Sequence, residues 1–570
     1  MRRTPCSVSF RLSVVASAAA LVLGLAAITA ASATSTPQTH IAPSVSWPGA
    51  AWIARTVTGR SAGYVTQSSP TTAVWGKKTI VAVGAENGFV YVMDAATGNE
   101  LPGWPHHLAV TPGQSAAIES SPTIAFLDGR RHAPSIIVGA ASTWVHSSAA
   151  EVEAWRLSGA ERFVFHVGQA TGTATGVIST PAVGDVLGNG QEQIVFGSWD
   201  HRIYVLDGAG NQLGFAYDNA DTIWSSPALY RLPGQRADDI FLGSDASGRP
   251  FGNHQRCVGG FIADYRFSSA ALDPDTLKTG PGLVREWFHC LNQSIWSSPV
   301  VGLIGTSHQP VVIVGTSFFE QPFPSDTSKL FAFDAASGAP VPGWPVSTAG
   351  PTLGSAAIGV IDSSGNPAVV ATSWDCTGPR PSNCFTDLSK VYAWNGSGRL
   401  IWSASLPGPE SFASPVLVPL QASSAQPSST TAGVLNDVLI GSPNGLYPLD
   451  GATGAFLFGT NGSNQFAAIN PGCRVYNSVA VIDVQSDNAR AGWHAVEACG
   501  GPPTFRTPGT ILSYRLPVQD FASAAWPMFR GSPEHSGVAF SSLATVPASI
   551  PGLPVVTTTS LAPVGAGGLG

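Results

Sequence analysis

Residues 178–213, ISTPAVGDVLGNGQEQIVFGSWDHRIYVLDGAGNQL, decide the fold, because the same unit recurs along most of the chain. An apolar strand begins at Pro181, a polar turn covers Leu187–Gln191, and a β-branched strand from Gln193 to Phe196 stops at Gly197. A further strand, Arg202–Leu206, runs into a turn over Asp207–Gly210. Short apolar runs separated by Gly, Asn and Asp are what sheet strands and their turns require. No helical period is present.

Working outward, the opening of this unit returns at Ser69-Pro70, Ser121-Pro122, Thr180-Pro181, Ser226-Pro227, Ser298-Pro299, Ser355-Ala356, Ser414-Pro415 and Asn477-Ser478. Successive starts lie 46 to 72 residues apart. The strand after the proline region ends in Gly at Gly84, Gly139, Gly197, Gly243, Gly315 and Gly441, with Thr372 in the sixth copy. From Pro181, Pro227 and Pro299 that glycine is sixteen residues on, and from Pro122 it is seventeen. A third strand recurs as FVYVMDAATG from Phe89, IYVLDGAG from Ile203, LFAFDAASG from Leu330, VYAWNGSG from Val391 and LYPLDGATG from Leu446. Its Asp or Asn, followed by Gly, supplies the acceptor side chain of a turn into a fourth strand. One carboxylate per turn is too few ligands for calcium.

Eight copies of a four-strand unit predict an all-β, eight-bladed β-propeller of antiparallel blades, with seven blades as the alternative. Blade eight needs an outer strand, which either Ala51–Val57 or Ala524–Arg530 could supply, so that both termini meet there. The units resemble the PQQ-like repeat, and more loosely the FG-GAP type, of exported bacterial propellers. The string WPMFRGSPEHSG, Trp526 to Gly537, resembles a segment found beside such propellers. The resemblance covers roughly Ser68 to Gly537 and implies fold more than activity.

Arg2, Arg3 and Arg11, an apolar run from Leu12 to Ile28 and Ala31-Ser32-Ala33 read as a signal peptide over residues 1–33. A segment 34–67 that contributes to ring closure, the propeller over 68–537 and a low-complexity tail over 538–570 complete the organisation. No later run is long enough for a transmembrane span. Charged residues are only 11% of the chain, and the net charge is −7. Without the three leader arginines, 25 basic residues face 35 acidic ones, about −10, which argues against a nucleic-acid partner. Secretion, either free or at the cell envelope, and a monomeric state are expected.

Insertions mark one face. With strands A to D counted outward from the axis, extra residues at Ala140–Ala150, Ser244–Gly260, Thr316–Ser328 and Ser373–Ser389 are all B to C loops, and only the Ala422–Ala432 insertion of blade seven lies on the opposite face. Leaving out Cys6, six cysteines remain, and nearest neighbours give Cys257–Cys290, Cys376–Cys384 and Cys473–Cys499 as expected disulfides on the elaborated face. The expected ligand-binding residues are Trp144, His146, His254, Arg256, Phe318, Phe319, Trp374 and Asp375 on those loops, with Trp224 and Trp296 at the rim.

Catalytic constellations are absent from the sequence. A quinone-dependent alcohol dehydrogenase, which the repeat resemblance brings to mind, would show adjacent cysteines, a Glu/Asn/Asp calcium set and an Asp base. This chain has no Cys-Cys and no CxxCH haem site. No Gly-x-Ser-x-Gly elbow or HExxH helix is present. Asp185–Gly190 lacks the middle carboxylate of a calcium loop, and adjacent His106 and His107 on a strand point to opposite faces. The reading is a secreted, non-catalytic binding or scaffold propeller with no predicted cofactor or metal and an unknown protein, peptide or glycan ligand. The alternative is an enzyme using the central cavity, either PQQ-dependent with calcium or glycan-processing.

Overall fold

The protein, seen in a computed structural model, is described over residues 52–55, 57–58, 61–109, 116–143, 150–168, 176–219, 221–245, 257, 259–318, 325–375, 388–408, 412–420, 435–457, 474–484, 492–500, 509–516 and 525–539. Eight antiparallel sheets form the eight blades of a propeller. The unit over residues 178–213 is blade three, with strands Ala182–Gly184, Gln193–Gly197, Arg202–Leu206 and Tyr217–Asp218. Seven sheets have four strands, and blade seven has three, followed by a single bridge from Leu449 to Phe456. Blade eight contains Ala480–Val484, Gly492–Cys499 and Thr510–Arg515. Its outer strand is Trp52–Arg55, paired antiparallel to Thr510–Arg515, so the N-terminal candidate closes the ring.

The Ser-Ser-Pro repeat performs two separate tasks. The first serine works within its blade: Ser68, Ser120, Ser179, Ser225 and Ser297 accept through Oγ the N–H of Gly84, Gly139, Gly197, Gly243 and Gly315. The second works between blades. The N–H of Ser69 donates to Ser121 Oγ, Ser121 to Thr180, Thr180 to Ser226, Ser226 to Ser298, Ser298 to Ser355, Ser355 to Ser414, Ser414 to Ser478, and Ser478 back to Ser69. A closed circle of eight buried hydrogen bonds at 2.8–3.1 Å fixes the blade number.

The spacing to glycine has a steric cause. A Cβ on Gly197 would lie 2.2 Å from Ile223, and one on Gly243 2.5 Å from Ile295. Each of these isoleucines belongs to the connection into the following blade, so the glycine opens a seat for its neighbour. The turn aspartates behave as read: Asp94 Oδ1 accepts the N–H of Ala96 and Thr97, and Asp207 Oδ1 those of Ala209 and Asn211. Asp185 is occupied in the same way by Asn189 and Gly190.

Two features of the insertions need correction. Ser373, Trp374, Leu388 and Ser389 belong to strands, so the blade-six loop is shorter than expected. Blade seven is also not alone in elaborating the opposite face. Blade four extends its last two strands to twelve residues each, Phe261–Leu272 and Thr279–Cys290, and the hairpin lies along the outer edge of blade three. There the Phe215 N–H donates to Pro281 O (3.0 Å) and Arg202 pairs with Asp275 (2.7 Å).

Candidate functional site

In blades one to seven, the residue two places before the ring serine or threonine faces the axis on the loop-rich side. Gln67, Glu119, Ile178, Trp224, Trp296, Leu353 and Phe412 line an axial cavity of about 50 Å³ together with the serine ring, and Phe529 also lines it. That volume holds only a few water molecules. In blades one, three, four and six a second tier of residues follows the end of the B strand core: Glu86, Trp199, Asp245 and Trp374 sit two residues beyond Gly84, Gly197, Gly243 and Thr372.

The two tiers bring aromatic rings together across blades three to six. Trp199 lies 5.2 Å from Trp224, Trp224 stacks on Trp296 at 4.8 Å and 19°, Trp296 meets Phe318 at 5.5 Å, and Phe318 meets Trp374 at 5.0 Å. Such ring pairs contribute about 0.5–1.5 kcal/mol each beyond area burial, so the arc is a rigid surface. Trp224, Trp296 and Phe318 are half-buried, whereas Trp199 and Trp374 are nearly covered. Asp245 orients the centre of the arc: its Oδ1 accepts Trp296 Nε1–H (2.6 Å) and its Oδ2 accepts Thr222 Oγ1–H (2.9 Å). Lys390 faces Asp375 at 3.5 Å at the end of the arc. The Trp199 indole N–H is buried without a hydrogen-bond partner among the described residues.

Across the mouth, blades one and two present acids. Glu119 is buried and accepts Thr143 N–H and Oγ1–H (both 2.9 Å) and Gln67 Nε2–H (3.3 Å). Thr66 Oγ1 bridges it to Glu86, at 2.6 Å from Glu86 and 3.3 Å from Glu119. Burial, and next the neighbouring Glu86, push the Glu119 carboxyl well above the usual range, and burial also raises Glu86. The pair therefore retains a proton more readily than two free carboxylates would, and can both donate and accept hydrogen bonds.

Of the sequence-predicted residues, Trp224, Trp296, Phe318, Trp374 and Asp375 converge on this mouth. Trp144, His146, His254, Arg256 and Phe319 lie outside the described residues, as do Cys376, Cys384 and Cys473. Cys257 and Cys290 form a disulfide with Cα atoms 5.2 Å apart, and Cys499 is disulfide-bonded. Sequence reasoning missed Trp199, although Ser198-Trp199-Asp200 repeats Ser373-Trp374-Asp375. It also missed Asp245 and the Glu86–Glu119 pair, whose members stand 33 positions apart with nothing local to link them. His106 stacks on Trp155 (5.7 Å) and His107 meets Phe89 (4.7 Å), the opposite faces expected of strand neighbours. Among the described residues, no group of three or more His, Cys, Asp or Glu is placed to hold a metal ion.

No protein-family model matches the chain, and no curated protein matches it. Solved structures do share its fold. The biofilm matrix protein Bap1 of V. cholerae superposes with a TM-score of 0.53 at 11% identity, covering 85% of this chain and 94% of that one. The quinohemoprotein alcohol dehydrogenase ADHIIG of Pseudomonas putida HK5 gives 0.50 at 12% identity, covering 83% and 78%. The PQQ-like propeller fold is thereby supported. At these identities the likeness is one of fold alone.

Proposed function

We propose that the protein is an exported, non-catalytic binding propeller that takes its ligand at the mouth on the loop-rich face. The observation that carries this reading is the arc from Trp199 to Trp374, with half-buried rings at its centre and the Glu86–Glu119 pair opposite. Apolar area with a few fixed polar groups is the usual composition of a binding site. Asp245 and the Thr66 bridge hold those groups before a ligand arrives, which lowers the ordering cost of association. A leader over 1–33 belongs to the same proposal, and the tail starts later than the expected residue 538, since Val538 and Ala539 are buried against the blade-five inner strand. The Cys257–Cys290 disulfide is compatible with an oxidising compartment. Bap1, which shares the fold, is a biofilm matrix protein.

Among the described residues, the axial cavity does not offer the room that a quinone takes. Pockets for cofactors of that size run to roughly 300 Å³ or more, against about 50 Å³ on the axis here. Adjacent cysteines are missing from the sequence. Glycan processing is the second reading, favoured by the raised carboxyls of Glu86 and Glu119.

Glycan and peptide arrays probed with the wild type and with Trp224→Ala and Trp296→Ala test the proposal. Each substitution is expected to weaken binding to the spots recognised by at least tenfold while the circular dichroism spectrum is kept. Binding that survives both substitutions contradicts the assignment. Release of product from a recognised glycan, abolished by Glu119→Gln, would favour the enzymatic reading.

A further inference from the structure

The string WPMFRGSPEHSG does not supply an outer strand; it fills the axis. Its backbone pairs in turn with the inner strands around the ring. Trp526 exchanges hydrogen bonds with Leu417 of blade seven (2.9 and 3.1 Å), and Pro527 O accepts Val481 N–H of blade eight (2.7 Å). Pro533 O accepts Ile124 N–H of blade two (2.9 Å) and Glu534 O accepts Val183 N–H of blade three (3.0 Å). Ser536 O accepts Leu229 N–H of blade four (2.8 Å), and Gly537 O accepts Val301 N–H of blade five (2.8 Å). Blade one joins through Thr71 Oγ1 and His535 Nε2 (2.9 Å), and blade six through Gly359, where a Cβ would lie 2.8 Å from Ala525.

Two buried side chains read the wall. The Arg530 guanidinium, with no exposed surface, donates to the carbonyls of Pro299 (2.8 Å), Pro227 and His535 (3.3 Å). His535, equally buried, has Nδ1 3.0 Å from Phe529 O, and its Nε2 lies near both Thr71 Oγ1 and Pro122 O. Arg530, Gly531, His535 and Gly537 all have positive φ (61°, 79°, 52° and 68°), so the segment is a folded loop with its own shape. Both of its ends lie on the side opposite the mouth: Ala525 N–H meets Asn436 Oδ1 beside the start of the blade-seven B strand, and Ala539 rests on Gly302 at the end of the blade-five inner strand. Phe529 reaches the other side and lines the mouth cavity.

We infer that the inner wall of the ring is a peptide-binding site whose ligand is this chain's own segment 525–539. The segment contains no cysteine, so recognition is non-covalent. It recognises the wall through complementary main-chain groups, one guanidinium and one imidazole, and it makes the channel blind, so a partner enters from the mouth alone. A site of this kind holds the segment without the covalent link through residues 517–524.

A protease recognition sequence placed within residues 518–523 of the full chain, and cut after folding, tests this. The released C-terminal fragment is expected to co-elute with the ring through successive gel-filtration columns. In sub-denaturing urea, a hundredfold excess of fluorescent peptide 525–539 should replace it, and the Arg530→Met peptide should be taken up at least tenfold less. Loss of the fragment on the first column, equal uptake of the two peptides, or uptake of neither would overturn the inference.

Discussion

At the scale of single residues, the fold depends on what is missing from glycine. Gly243 admits Ile295 of the next blade, and a methyl group there would stand 2.5 Å from its Cγ2. Both the strand that carries Gly243 and the isoleucine are buried, so Gly243→Ala should cost about 1–3 kcal/mol of stability, the usual range for overpacking. Gly280, in a blade-four strand, is the control: a Cβ there meets nothing within 4 Å. Its alanine variant should stay within about 0.5 kcal/mol of wild type in urea denaturation. A comparable loss at both positions would contradict the seat of Ile295 as its cause. These seats were legible in the sequence as a constant spacing. The role of Asp245 was not, because holding the Trp296 indole is a contact between residues 51 positions apart that carry no shared motif.

At the scale of strands and loops, the blades contain buried acids whose desolvation outweighs the cations near them. Burial pushes Asp264 up to about 9, Glu497 up to about 8 and Glu192 up to about 7. Burial is also the first cause of a value of about 8 at Glu153. A carboxyl whose folded pKa exceeds its unfolded value favours the folded state below the unfolded pKa, near 4, and that contribution is lost as pH rises through the folded pKa. The thermal midpoint should therefore fall between pH 5 and pH 9. Asp264→Asn, which keeps the shape and removes the titration, should flatten part of that slope; an unchanged slope would mean that Asp264 stays ionised. The blade-four loop carries a second test. The Cys257–Cys290 disulfide joins the B to C loop to the end of the last strand and closes 33 residues. Replacing both cysteines by serine should cost roughly 3–4 kcal/mol on the chain-entropy account, read as a lower denaturation midpoint. The extended blade-four hairpin escaped sequence reading because its exposed half mixes polar and apolar residues without the alternation of a buried strand, and its partner, the edge of blade three, is remote in sequence.

At the scale of the whole molecule, the ring was legible because its closing device repeats. Every Ser-Ser-Pro or its variant contributes one step to the circle from Ser69 to Ser478 and back, so counting motifs counts blades. The C-terminal segment was not legible as an axial filling, since its partners are carbonyls and N–H groups from Leu417, Val481, Ile124, Val183, Leu229 and Val301, which share no signal except their place on inner strands. The mouth stands between these cases: Trp224 and Trp296 were visible as equivalent positions before the serines, while Trp199 and the Glu86–Glu119 pair became apparent only when the ring set them side by side.

The central claim is that ligands engage the loop-rich mouth of a ring closed on its other side. Hydrogen–deuterium exchange of the purified full chain, with and without a saturating glycan or peptide taken from the arrays, tests it directly. The account predicts new protection at residues 197–200, 222–226, 294–298 and 372–375, with residues 303–309 and 361–366 on the opposite face unchanged. Protection confined to those opposite-face turns, with exchange at the tryptophan arc unaltered, would contradict it.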